Sequence, residues 1–533
     1  MSQGTGSTGS SDPAIGGSEG AAFGGSEGAE RCPFTGEGTL PLHRGPDRGE
    51  ASAAELPWEQ LRSQYGGLVP VEITPGVPGW LLLGYKENLQ VLRDQTYFSA
   101  DPRPWSPSGV PPARSGALNR DGAEHQRLRL PIVDALASVG TPQLVPAVER
   151  AAVHLIGLVE SAGSADLIGD YAAPLPALIL NELFGLPDSY GHLLADLTAR
   201  LWSGDPARAE PAALAVRSYF EGLVARKRAE PGQDITSLIL EHPHGLTDDE
   251  VVEALSLLWE TGHEPTTHLI GNALLKLLED PNVWTAYLGG TLTPEDFVDY
   301  VMWTDSPIRM LAGRYSTMDI RFAGARIRQG EPLLFGFASA HTDPSVSRGA
   351  DDAMALAGNR SHLSWGAGAH RCPATAFTRE LVRTAIDTVV DRMRGMVMAV
   401  ESAELRWRAS LSVHGLEELP VWFTPTGERD QRGERPEESR PEPVVTRWVR
   451  RRKRKPAGQG ARYQAPLPRS GQPEDGTAKN ETPAPAAPAR TAKAKPRRAV
   501  PRGTGARYQA PFAEETHTPD PLEQLLHTWR PQG

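Results

Sequence analysis

The stretch HLSWGAGAHRCPATAFTRELVRTAIDTVVDRM, residues 362–393, decides the fold. A glycine-rich turn runs through His370, Arg371 and Cys372 into a segment whose apolar residues recur at three- and four-residue spacing, so the pattern predicts a helix with Cys372 at its N-terminus. A thiol placed there, close to two basic side chains and to unpaired backbone N–H groups, is in a setting that favours thiolate. A lone cysteine is ordinarily a small buried hydrophobe. The neighbours of Cys372 argue for a ligand instead.

Upstream, Thr247-Asp-Asp-Glu250 is a capping box that opens a long apolar-periodic run to Pro281, interrupted by Pro265. That proline removes a backbone donor, crowds the carbonyl of Thr261 and predicts a kink. Further helices are predicted over His125–Leu136, Pro146–Ser161, Pro174–Phe184, the Leu193–Leu201 region, Glu210–Arg228 and Pro294–Trp303. VEITPGVPGWLLLGYKENLQVLRD, from residue 71, reads as two short strands around a Pro/Gly turn, followed by a helix, and MDIRFAGARIRQGEPLLFGF reads as short strands. The fold class is therefore mainly α with small β-sheets.

Both flanks differ from this pattern. Residues 1–54 are Gly-, Ser- and Glu-rich, with GGSEGAAFGGSEGAE as an example, and residues 426–533 are rich in Pro, Arg, Lys, Ala and Glu. Such segments bury too little apolar surface to offset ordering. The expected organisation is a disordered N-terminal extension over 1–54, a folded domain over 55–425 and a disordered tail over 426–533. The tail carries Trp448-Val-Arg-Arg-Arg-Lys-Arg-Lys455 and the heptapeptide Gly-Ala-Arg-Tyr-Gln-Ala-Pro at 460–466 and again at 505–511. These are a solvated tail with a duplication, or a bivalent motif for a protein partner or an anionic surface.

A net charge of −11 argues against a folded domain built for nucleic acid. No run of 18 or more apolar residues and no signal-like start occur, so a cytoplasmic protein without a membrane span is expected. The only two cysteines are Cys32 and Cys372, too few for a fused iron–sulfur module, which needs about four thiolates.

Trp365-Gly-Ala-Gly-Ala-His-Arg-Cys372 resembles the cysteine-pocket signature of the cytochrome P450 superfamily, Phe-Gly-x-Gly-x-His-x-Cys. The resemblance covers most of residues 60–425 and implies a triangular helical prism enclosing haem b, with Cys372 as axial iron ligand. It also implies that His125, Arg129, Arg314 and His370 hold the haem carboxylates. Across the distal face it aligns Gly262-His-Glu264 and Thr266-Thr267 with the oxygen-binding helix. Glu264 and Thr266 then fall in the catalytic region, with Glu260 and Thr261 beside the substrate cavity. The implied activity is insertion of one oxygen atom of dioxygen into a small organic substrate, with electrons from a separate ferredoxin and ferredoxin reductase. Arg371 and Arg379 are candidates for meeting an acidic partner.

Three positions depart from the family pattern. Pro265 stands where the family has a threonine, leaving Thr266 or Thr261 to supply a hydroxyl. The Glu-x-x-Arg pair should fall at Tyr300-Val-Met-Trp303 and is missing, as in an atypical actinobacterial subgroup. A cation–π contact between Trp303 and Arg360 is the expected replacement. Pro373 and Ala374 follow the cysteine where a glycine is usual, with Pro373 suited to the first helical position. The first two departures keep two alternatives open: a haem-binding sensor or scaffold with little turnover, and a peroxide-dependent oxygenase.

Overall fold

The computed structural model describes residues 39–42, residues 56–425 apart from 75, 106–115, 202–205, 348–352, 357 and 409, and Leu522, Leu525 and Leu526. Cys32, the basic run at Trp448–Lys455 and both heptapeptides lie outside the described residues.

The chain opens with β1 (Leu40–Pro41), α1 (Trp58–Tyr65), β2 (Leu68–Thr74), β3 (Val77–Leu82), α2 (Tyr85–Arg93) and β4 (Phe98–Ser99). The helices α3 (Gly122–Ala137), α4 (Thr141–Val159), α5 (Pro174–Phe184), α6 (Asp188–Leu201), α7 (Pro206–Ala229), α8 (Ile235–Leu240), α9 (Asp248–Glu279), α10 (Pro281–Leu288) and α11 (Pro294–Thr304) follow, with β5 (Ser164–Asp166) between α4 and α5. Then come β6 (Met310–Ser316), β7 (Ile320–Phe322), β8 (Ala325–Ile327), β9 (Pro332–Gly336), α12 (Phe337–His341), α13 (Ala353–Leu356), α14 (Thr375–Arg392), β10 (Val397–Met398) and β11 (Pro420–Trp422).

The principal sheet has six strands in the order β1-β2-β3-β9-β6-β4, with β3 pairing β9 in parallel through Trp80 and Leu333. A three-stranded sheet, β10-β11-β5, and the hairpin β7-β8 complete the β structure. The expected helices are all present, most of them longer at one end than the periodicity indicated. The folded part, however, begins before residue 55: Leu40 pairs Val71 in the sheet, and Leu42 is buried. Two residues in a strand are too few for periodicity to register, so composition alone misassigned them.

The 32-residue α9 organises the interior. Thr247 and Glu250 form the capping box at its start. The N-terminal half, including Val251, Leu255 and Trp259, packs into one apolar cluster with α6 and α7. The C-terminal half, including Ile270, Leu274 and Leu278, packs into another with α4, α11 and α14. Between these halves lies a polar stretch, Glu260 to His268, which neither cluster absorbs. The helix continues through Pro265.

Candidate haem-binding site

The cysteine loop is built by short-range geometry. Cys372 donates its backbone N–H to Trp365 O at 2.8 Å, Gly366 N–H bonds Leu363 O at 2.7 Å, and a single 3-10 turn spans Gly368–His370. Gly366 and Gly368 sit at φ +66° and +69°, in the left-handed region that side chains rarely adopt. At Gly368 a Cβ would also stand 2.5 Å from Leu92 O, so α2 leaves no room for one.

Helix α14 begins at Thr375, with Ala374 as its N-cap, so Pro373 is not the first helical residue and Cys372 precedes the helix by two positions more than expected. The half-buried thiol is pushed up by burial, which outweighs the lowering effects of the Ala374 N–H and of Arg129, Thr375 and Arg371. The fold alone therefore does not favour thiolate at Cys372; a bound cation would have to supply that bias.

Four groups gather beside this loop. The His125 and His370 rings stack at 4.1 Å. His370 donates Nε2–H to Asp121 Oδ1 at 3.1 Å and leaves Nδ1 without a partner, while His125 leaves Nε2 without one. Burial, then the neighbouring His370, Arg129 and Arg314, push His125 down to about 4. Arg314 is buried, its Nη1 donating to the Gly313 carbonyl at 2.6 Å, and Arg129 donates to the carbonyl of Arg371. Neither arginine is in an ion pair among the described residues, and burial lowers both, Arg314 to about 10. A buried guanidinium, Arg314, and a half-buried one, Arg129, neither paired with a carboxylate among the described residues, stand beside two histidines with orphaned ring nitrogens and match a planar ligand that brings two carboxylates and an iron. The residues present therefore fit a haem.

Asp121, absent from the sequence reading, organises this cluster from the N-cap of α3. It accepts from Ser99 Oγ and from Ala100 N–H, each at 2.7 Å, as well as from His370. Its signal was the residue type at a helix start.

The loop before the cysteine is anchored from α11 by Asp299, which is completely buried. His362 Nε2 lies 3.0 Å from Asp299 Oδ1, Arg379 Nη1 donates to Oδ2 at 3.0 Å, and Arg360 Nε is 3.4 Å away. Trp303 does not stack on Arg360. It donates Nε1–H to Asn359 O at 2.9 Å and meets the His341 and His362 rings edge-on. The expected cation–π contact fails because Asp299, one position before Tyr300, draws Arg360 to itself. Arg379 is likewise committed to Asp299 and is not available to a partner protein, whereas Arg371 is exposed.

On α9, Glu264 is buried and accepts from Arg408 Nη1 at 2.7 Å and His268 Nε2 at 3.1 Å, with His263 Nδ1 at 3.8 Å. These partners overcome the cost of burial and hold the carboxyl at about 2. His268 stands one helical turn after Glu264, a spacing readable in the sequence; Arg408 comes from the far C-terminal hairpin and is not. Thr266 is buried. Thr261 is exposed one turn before the half-buried Pro265, and its hydroxyl donates to Leu257 O at 2.6 Å. Glu260 lines a cavity of about 220 Å³ between α7 and α9, together with Arg217, Glu253 and Ser256. No helix among the described residues is long and apolar enough to cross a membrane.

Similarity to known proteins agrees with this geometry. No family model matches the chain. Cytochrome P450 107B1 of Saccharopolyspora erythraea is 29% identical over 366 residues, spanning 65% of this chain and 89% of its own length. The biotin biosynthesis cytochrome P450 of Bacillus subtilis is 29% identical over 360 residues, spanning 65% and 90%. Among solved structures, CYP154A1 from Streptomyces coelicolor aligns with a TM-score of 0.66 at 26% identity, covering 72% of this chain and 100% of that one. With that fold, that coverage and a cluster of two arginines and two histidines beside a loop cysteine, this chain belongs to the cytochrome P450 superfamily of haem-dependent oxidoreductases.

Proposed function

We propose that this chain is a cytoplasmic monooxygenase that inserts one atom of dioxygen into a small organic substrate, with Cys372 as the residue that would hold the haem iron and electrons from a separate ferredoxin and its reductase. The observation that carries this reading is the pair of buried Arg314 and half-buried Arg129, neither in an ion pair among the described residues, beside His125 and His370 at the cysteine loop.

When bound, the haem supplies the redox chemistry and the activation of dioxygen. Arg129, Arg314, His125 and His370 orient it through its carboxylates. Thr261 takes the role of the missing distal hydroxyl, because it is exposed while Thr266 is buried. Glu260 and Thr261 face the substrate. Glu264 holds no proton at neutral pH, and its Oε1 is occupied by the hydrogen bonds from Arg408 and His268. Exposed Arg371 is the residue offered to an acidic redox partner.

A specific observation favours a second reading, a haem protein with little coupled turnover or one driven by peroxide. Glu264 is locked in its ion pair, and the position after it carries no hydroxyl. The test is the carbon monoxide difference spectrum of the dithionite-reduced protein. A Soret band shifted strongly to the red and lost in Cys372→Ser supports thiolate ligation; an unshifted band in the wild type overturns it. Product formed per NADPH then separates the readings, since peroxide without product marks the second.

A further inference from the structure

Leu522, Leu525 and Leu526 are helical, and Leu522 is 0% exposed. It belongs to the same apolar cluster as Phe184, Tyr219, Phe220 and Leu223, against which Leu525 and Leu526 also pack. Its seat is Gly222 on α7. A Cβ at that position would stand 2.9 Å from Leu522 Cγ and 3.3 Å from its backbone nitrogen, so only glycine leaves the groove open. Another part of α7, at Val216 and Arg217, walls the cavity of about 220 Å³ that Glu253, Ser256 and Glu260 of α9 close.

We propose that the C-terminal segment around Leu522 is an intramolecular latch, a short amphipathic helix that seats in the groove over Gly222 and holds α7 against α9. Leucines at i, i+3 and i+4 make one apolar stripe, the pattern of a helix laid into a hydrophobic groove. The order of these three leucines comes from burial against the α7 cluster. The contact is small, but both ends belong to one chain, and a tether turns weak association into an intramolecular event at an effective concentration in the millimolar range. The latch is independent of the haem assignment.

Hydrogen exchange on the full chain tests it, using Leu522→Asp on the tail side and Gly222→Leu on the groove side. Leucine is a stronger helix former than glycine, so Gly222→Leu blocks the seat without weakening α7 itself. Exchange at Leu522, Leu525 and Leu526 should rise on the order of tenfold or more in both variants, the scale expected for losing one buried leucine. In Leu522→Asp the rise should extend into α7 over 212–224. Unchanged exchange at the three leucines in both variants overturns the proposal. So does protection in the wild type that fades on dilution, because docking would then be to a second copy.

Discussion

Arg379, from the helix that follows the cysteine, donates to Asp299, completely buried in α11, with Nη1 to Oδ2 at 3.0 Å. His362 and Arg360, from the loop that precedes the cysteine, meet the same carboxylate. Asp299 thus ties α11 to both sides of the cysteine loop, as a single acid with partners brought from elsewhere in the chain. These partners hold its carboxyl below the usual range against the opposing effect of burial.

Asp299→Ala should therefore cost about 3–5 kcal/mol, the scale for removing one member of a buried charge pair, since His362 and Arg379 remain behind. Haem should be lost on gel filtration and the thermal midpoint should fall. Trp303→Ala removes a ring and one hydrogen bond to Asn359 O and should cost about 3–5 kcal/mol through its cavity, leaving the ionic anchor in place. An Asp299→Ala protein that keeps its haem-to-protein ratio would show that the anchor lies elsewhere.

A second prediction concerns the close approach of Gly415 to α9. A Cβ at residue 415 would overlap the His268 ring. Gly415→Ala should push His268 off Glu264 and destabilise the protein by about 1–3 kcal/mol through overpacking, read as a shift in urea midpoint at constant slope. An unchanged midpoint would show that the ring has room to turn.

Glu264 gives a pH dependence with a definite sign. Its carboxyl ordinarily titrates at 4.5 and is held at about 2 in the fold, by His268, Arg408 and His263 acting against burial. A depressed carboxylate contributes stability above its unfolded pKa and loses it as pH falls through the folded one. The contribution, on the order of 3 kcal/mol, should be complete at pH 7 and disappear between about 4.5 and 2. Urea titrations of wild type and Glu264→Gln should therefore converge as pH falls through that window, and parallel curves would exclude the assignment.

The sequence was most legible where physics is local. Thr247 and Glu250 form their capping box within one turn, and the helical periodicity located α9, α11 and α14 to within a few residues. Arg129, His125, Arg314, His370 and Cys372 were named in advance, and the fold does bring them together. What escaped was pairing over distance. Arg408 reaches Glu264 across 144 positions and Arg379 reaches Asp299 across 80, and no spacing rule connects residues so far apart. A Glu-x-x-Arg pair lies within one helical turn, whereas the fold uses a single acid and distant arginines. Leu40 and Leu522 escaped for a related reason: each is a short apolar element in a polar flank, ordered only by the surface it meets.

The distal hydroxyl can be assigned by comparing two threonines. Thr261 is exposed, one helical turn before Pro265, and its hydroxyl is held by Leu257 O at 2.6 Å; Thr266 is buried on another face of the helix. A side chain that assists proton delivery must reach the open face, and positioned acid–base groups typically contribute about 10²–10⁴-fold. Because Glu264 is already compromised by its ion pair, the lower end applies, and Thr261→Val should reduce coupled product per NADPH by roughly 10²-fold while peroxide rises. Thr266→Val, nearly isosteric, should change coupling little, because Thr266 is buried away from the open face. Measuring product, peroxide and NADPH together in both variants decides the matter. Loss of coupling in Thr266→Val with Thr261→Val unaffected would transfer the role to the buried residue and require α9 to open at Pro265 during turnover.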